Sequence, residues 1–252
     1  MRKDISMSSN RIKFLNIEVD NLNMKEAVEA IDDLIIKRKP SYVVTPNVDH
    51  IVKLEKDSEF QAVYRDADLI LTDGMPLIWI SKLKNTPIKE KVSGSDLFPE
   101  VCKLAAKKGY SIFLLGAAEG VANKAAKNLA GKFEGLKIAG TYSPSYGFEK
   151  NEDEIRNIIE MINDVKPDIL AVGLGAPKQE KFIHKYRDEL NVPVSLAIGA
   201  SIDFEAGNID RAPKWMQKCG LEWFYRLYKE PRRMFKRYLI DDLKIIRIIF
   251  KK

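Results

Sequence analysis

The chain has 252 residues, 42 Lys and Arg against 36 Asp and Glu, and a formal net charge of +6. Hydrophobic residues at 45% and charged residues at 31% exclude a disordered or collagen-like polymer. Two Cys (Cys102, Cys219) and two His exclude a disulfide framework, are too few for a typical zinc site, and fit a reducing cytosol.

Residues 1–10 carry no apolar signal core and read as a disordered end. No run of 18 apolar residues is present to span a bilayer. From there helical and strand patterns alternate. Met24–Arg38 reads as a helix and Tyr42–Thr45 as a strand; Ser58–Arg65 is a helix and Leu69–Thr72 a strand. Helical patterns over Pro76–Leu83 and Ser95–Lys108 precede a strand at Ser111–Leu115. Helix Ala118–Lys132, strand Lys137–Gly140, helix Glu152–Val165, strand Asp168–Gly173, helix Pro177–Leu190 and strand Val194–Ile198 follow. This alternation predicts an α/β fold over residues 11–207: a Rossmann-like, mostly parallel sheet with helices on both faces.

Residues 208–252 read as a helical appendage of a different character. Residues 211–252 hold 13 Lys/Arg, 4 Asp/Glu and 8 aromatics, so the positive charge belongs wholly to this tail. Pro231 divides it into two predicted helices, 214–229 and 231–250. On a helical wheel the second sets Arg233, Lys236, Arg237, Lys244, Arg247 and Lys251 opposite an apolar stripe, with Asp242 as a blemish. That pattern suits a helix lying in a membrane interface, and the charge suits an anionic partner.

Ligands of open α/β sheets sit beyond the carboxyl ends of the strands. There the chain places Thr45-Pro46-Asn47, Thr72-Asp73-Gly74, Gly116-x-x-x-Gly120 and Gly173-x-Gly175-x-Pro177-Lys178-Gln179-Glu180. Asp73 suits a general base, or a plain helix N-cap. Thr45 and Asn47 suit sugar or base contacts, or an ordinary turn. Gly116 to Gly120 suits a phosphate turn but lacks the dinucleotide fingerprint. Gly173 and Gly175 permit close backbone approach, and Lys178 and Gln179 stand in a first helical turn that favours anions. Asp66-Ala67-Asp68 has the form of a metal signature but precedes its strand; both Asp read as solvated or capping, and no essential metal is expected.

Taken in order, these motifs resemble the WecG/TagA/CpsF family of bacterial glycosyltransferases over roughly residues 12–240. Val92-Ser93-Gly94-Ser95-Asp96, Gly199-Ala200, Arg211-Ala212-Pro213 with Trp215, and Gly220-Leu221-Glu222-Trp223 complete the set. The chain is most similar to the teichoic acid branch. That resemblance implies inverting transfer of N-acetylmannosamine from UDP-N-acetylmannosamine to the 4-hydroxyl of undecaprenyl-diphosphate-N-acetylglucosamine, in β-1,4 linkage. It implies Asp73 as base, Thr45 and Asn47 beside it, and Gln179 on the donor. Arg226, Arg233 and Arg237 would neutralise UDP. Lys91 stands where the family usually has Arg, and keeps the charge without the bidentate fork. The implied partners are the UDP-sugar, the lipid-linked acceptor, the inner face of the cell membrane and further copies of the chain, with no nucleic acid. The implied location is cytoplasmic and peripheral.

Another UDP-sugar on the same chemistry, such as glucose or N-acetylmannosaminuronate, fits the motifs equally. A nicotinamide-dependent oxidoreductase and a non-enzymatic basic-tail binding module are the more distant alternatives.

Overall fold

The computed structural model describes residues 11–236, 238 and 241–250. The chain opens with a hairpin that sequence patterning does not reveal, β1 (Arg11–Phe14) paired antiparallel with β2 (Ile17–Asp20). Helix α1 (Met24–Lys37) starts on a capping box between Asn23 and Glu26. Then come β3 (Ser41–Val44), α2 (Val48–Leu54), α3 (Ser58–Arg65), β4 (Leu69–Ile70), α4 (Met75–Leu83) and α5 (Gly94–Lys108). The second half runs β5 (Ser111–Gly116), α6 (Val121–Lys132), β6 (Lys137–Tyr142), α7 (Glu152–Val165), β7 (Ile169–Gly173), α8 (Lys178–Leu190), β8 (Val194–Ala197) and α9 (Ser201–Ala206).

Strands β3 to β8 form one parallel sheet in the order β4-β3-β8-β7-β5-β6. Period-two alternation sends successive side chains to opposite faces. Tyr42, Val44, Phe113, Leu115, Leu170 and Val172 pack with α2, α3, α4, α7 and α8. Val43, Ile112, Leu114, Ile169, Ala171 and Leu196 pack with α1, α5, α6 and α9. Each such buried Val, Leu, Ile or Phe contributes about 1.5–3 kcal/mol. The doubly covered Rossmann-like sheet expected from the strand runs is the observed one.

The two Asp before β4 are structural, at the amino ends of the strands. Asp66 meets His184 at 2.9 Å, and Asp68 accepts the backbone N–H of Tyr42 at 3.0 Å.

The tail departs from the two-helix expectation. It breaks into α10 (Lys214–Lys218), α11 (Glu222–Lys229), α12 (Pro231–Lys236) and α13 (Ile245–Ile249), with a 3₁₀ turn at Asp242–Lys244. Over 231–250 the described helical segments are Pro231–Lys236, Asp242–Lys244 and Ile245–Ile249, and residues 237, 239 and 240 lie outside the described residues. Ile245 and Ile248 are buried in the core that α2 shares, while Ile246 and Phe250 stay exposed. Packing against the body breaks the regular stripe, because an interrupted helix can turn separate apolar groups inward.

Gly116 ends β5 at φ +123°, where an added Cβ would sit 2.4 Å from the Gly173 carbonyl oxygen. Gly116→Ala is expected to destabilise the fold by more than about 2 kcal/mol, read as a lower urea midpoint.

Candidate functional site

The loops following β3, β4, β7 and β8 converge on one cavity of about 450 Å³. Its wall includes Thr45, Asn47, Asp73, Gly175, Gln179 and Arg226. A second, more apolar trough of about 420 Å³ adjoins it, walled by Pro76, Trp79, Ile80, Trp223, Tyr238 and Leu243. Asn47, Asp73, Ser95 and Arg226 belong to both walls. A hollow of about 490 Å³ below the hairpin, near Arg11, Gln61 and Arg65, lies off this edge and gathers no comparable set.

Asp73 is not the N-cap of α4. That place is taken by Gly74 at φ 99°, with no side-chain cap hydrogen bond. The Asp73 backbone N–H donates to the Pro46 carbonyl at 2.8 Å, which fixes the residue beside the β3 loop. Its carboxylate accepts no hydrogen bond among the described residues, and burial raises its pKa from the usual Asp value. Lys91 and Arg226 pull in the opposite direction without reversing that shift, while Glu222 and Asp96 add to it. A carboxylate held this way is a stronger base than one in water.

Asn47 caps α2, its Oδ1 accepting the His50 backbone N–H at 3.4 Å. The turn and contact readings of Asn47 therefore coexist: the residue starts a helix and lines the cavity. Gln179 is buried, and its Oε1 accepts the backbone N–H groups of Gly175 at 3.2 Å and Gly199 at 3.1 Å. Its Nε2 donates to Glu180 Oε1 at 2.8 Å. Gln179 thus staples the β7 and β8 loops together, with one amide hydrogen left over.

Lys178, Gly173 and the Gly116–Gly120 turn lie elsewhere. Lys178 points to Glu149 at 2.6 Å and lies over the Tyr146 ring, away from the cavity wall. Gly173 is needed for packing, since a Cβ there would meet the Gly199 carbonyl oxygen at 2.7 Å. The Gly116–Gly120 turn does not reach the cavity wall. Arg233 lies in α12, and Arg237 lies outside the described residues.

Lys91 is part of an ion-pair line that spacing does not disclose. It meets Asp96 Oδ2 at 2.7 Å, and Arg211 meets Asp96 Oδ1 at 2.8 Å. Arg211 continues to Glu222 at 3.8 Å, and Glu222 to Arg226 at 3.6 Å. Arg211 and Arg226 also lie over the Phe204 ring, at 5.7 and 5.2 Å. The line joins the loop before α5 to α11 and ends at the cavity. Burial alone would raise Asp96, but the Lys91 and Ser93 hydrogen bonds and the nearby Lys91 and Arg211 charges bring its pKa down to about 2.

A folded-state pKa below the ordinary Asp value means that ionised Asp96 stabilises the fold at neutral pH. That contribution is lost as pH falls from about 4 towards 2. Asp96→Asn is expected to cost about 1–2 kcal/mol at pH 7, measured by urea unfolding.

The Glycosyl transferase WecG/TagA/CpsF family description matches residues 12–252. A Bacillus subtilis (strain 168) protein is 35% identical over 89% of this chain and 85% of its own length. A Bacillus spizizenii relative is 34% identical over 78% of this chain and 74% of its own length. A Staphylococcus aureus (strain MW2) relative is 26% identical over 89% and 87%. All three bear the name N-acetylglucosaminyldiphosphoundecaprenol N-acetyl-beta-D-mannosaminyltransferase. A match along nearly the whole chain, laid over a doubly covered parallel sheet, makes this protein a glycosyltransferase of the WecG/TagA/CpsF family.

Proposed function

We infer that the chain transfers N-acetylmannosamine from UDP-N-acetylmannosamine to the 4-hydroxyl of undecaprenyl-diphosphate-linked N-acetylglucosamine. The observation that carries this reading is the position of Asp73, in the wall common to the polar cavity and the apolar trough. The names of the relatives support the acceptor and the transferred sugar.

The polar cavity suits the sugar nucleotide, with Thr45 and Asn47 as hydrogen-bonding groups and Arg226 as a cation. The trough suits the lipid-borne acceptor, since Trp79, Trp223 and Leu243 offer it an apolar wall. Asp73 Oδ takes the proton from the acceptor 4-hydroxyl as that oxygen attacks the anomeric carbon. The bond from that carbon to the UDP oxygen breaks on the opposite side, so configuration inverts and the product is β-1,4-linked. UDP departs with three negative charges, one more than the diphosphate of the donor carried, and Arg226 in the cavity wall is proposed to offset that gain. Arg233 and Arg237 are proposed to add to this from the tail. No metal ion is needed in this scheme. Lys91 acts through its charge on Asp73 and its pairing with Asp96.

No described helix is long and apolar enough to cross a membrane. The tail nonetheless exposes Phe224, Tyr228, Phe235, Ile246 and Phe250 among its basic residues. Those side chains support peripheral attachment to the membrane face where the acceptor resides. Association with further copies of the chain is proposed on the resemblance alone.

Purified protein given UDP-N-acetylmannosamine and a short-chain diphosphate-linked N-acetylglucosamine is expected to form the disaccharide, with EDTA present. Transfer only from UDP-glucose would redirect the donor assignment, and loss of turnover in EDTA would overturn the metal-free scheme. Asp73→Asn is expected to lower turnover by about 10²–10⁴-fold. The same change is expected to raise the melting temperature. The Asp73 pKa is raised in the fold, so its ionised form costs stability as pH rises through that value, and Asn removes the cost. In the wild type, kcat/KM is expected to fall on the acid side, as Asp73 takes up a proton at a higher pH than a free Asp would. An Asp73→Asn protein with unchanged turnover would remove Asp73 from the reaction.

A further inference from the structure

Beside Asn47 lies a buried pair that the scheme above does not use, His50 in the cavity wall and Glu180 beneath it. The His50 ring packs against Phe60 and Tyr64 of α3, with centroids 5.8 and 6.4 Å away. Its Nε2 faces Glu180 Oε1 at 3.2 Å, and its Nδ1 faces Asn47 Oδ1 at 2.7 Å. Glu180 is 1% exposed and His50 6%. Sealing these two groups between α2 and α8 costs free energy that apolar side chains would not.

The backbone decides which atoms face which. Helix α2 needs an acceptor on Asn47 to meet the His50 N–H, and of the two amide ends only the oxygen accepts. That same oxygen lies 2.7 Å from Nδ1, too close for two bare acceptors, so this contact calls for a proton on Nδ1. The Asn47 backbone N–H also points at Nδ1, from 3.3 Å, and is the competing partner that a bare Nδ1 would accept. At Nε2, Glu180 is the partner whether the second proton rests on nitrogen or on oxygen. Either arrangement leaves the Nδ1 proton in place. The amide nitrogen of Asn47 is thereby turned from the ring and donates to nothing among the described residues. Yet Asn47 lines both the cavity and the trough, beside Asp73. The same Glu180 oxygen anchors Gln179, which staples the Gly175 and Gly199 loops.

We propose that His50, held by Glu180, is a positioning residue that locks the Asn47 amide with its NH₂ towards the bound sugar nucleotide. The identity of that ligand rests on the function proposed above; the orientation of the amide does not. The unit reaches further than one contact. Glu180 ties the donor amide on the β3 loop to the two glycine loops, so both sides of the cavity share one buried anchor.

Two measurements test this. The chain has only two histidines, so imidazole ¹⁵N shifts, with His184→Gln removing the other signal, report His50 directly. A protonated Nδ1 is expected; a bare Nδ1 with the proton on Nε2 alone overturns the proposal. In kinetics, His50→Phe and Asn47→Ala are each expected to lower kcat/KM for transfer from UDP-N-acetylmannosamine by about 10- to 100-fold. The double variant is expected to be no worse than Asn47→Ala, because both changes remove the same contact. Multiplying losses, or wild-type kinetics in His50→Phe, overturn the proposal. Should His50→Phe fail to fold, Glu180→Gln with and without Asn47→Ala completes the same cycle. A wild-type protein that transfers no sugar refutes the functional reading instead, and the imidazole measurement then judges the pair alone.

Discussion

A carboxylate left without a partner is the constraint around which this molecule is arranged. Asp73 lies three residues past a strand only two residues long and precedes a helix capped by glycine. Had the next helix begun one residue earlier, the carboxylate would have been spent on orphan N–H groups. Gly74, at φ 99°, turns the chain so that it is not. Positive charge is nearby but engaged: Lys91 is bonded to Asp96, and Arg226 leans on Glu222 and Phe204. The alternating line from Lys91 to Arg226 therefore supplies a field at Asp73 without a salt bridge to it. A direct pair would lower the basicity that the position confers.

The sheet was readable because its strands are short, apolar and β-branched, and both of its faces are buried. The N-terminal hairpin was not, since Arg11, Lys13, Glu18 and Asp20 interrupt any apolar run. Helix α2 was hidden for a related reason: seven residues containing Asp49, His50 and Lys53 make too weak a pattern to stand apart from a turn. At the site, the strand-end rule found Thr45, Asn47, Asp73, Gly175 and Gln179 because it depends on where strands stop, which sequence shows well. It also swept in Lys178 and the Gly116 turn, because the rule knows nothing of which way a side chain leaves its helix. Contacts across the fold were invisible. His50 and Glu180 are 130 positions apart, and Asp96 and Arg211 are 115 apart. No local periodicity marks either pair.

The tail shows how tertiary packing overrides a clean pattern. The wheel over 231–250 assumes one α-helical period, whereas Asp242–Lys244 winds as a 3₁₀ turn, and Ile245 and Ile248 are buried beside α2. Met234 is likewise 2% exposed. Part of the apolar stripe is thus a core contribution, and only the remainder is available for a surface. The appendage is accordingly bound to the body through apolar contacts as well as through the ion-pair line.

The two adjoining hollows have different parentage. The polar one is built largely from loops of the sheet, whereas the apolar one draws Trp223, Tyr238, Leu243 and Ile245 from the last thirty or so residues and α4 from the body. Only a few residues, Asp73 and Arg226 among them, serve both. On the proposed reading, the selectivity for the sugar nucleotide and the fit to the lipid carrier reside in largely separate stretches of chain. Descendants of this fold can therefore drift in one preference while inheriting the other, provided that the shared residues are kept.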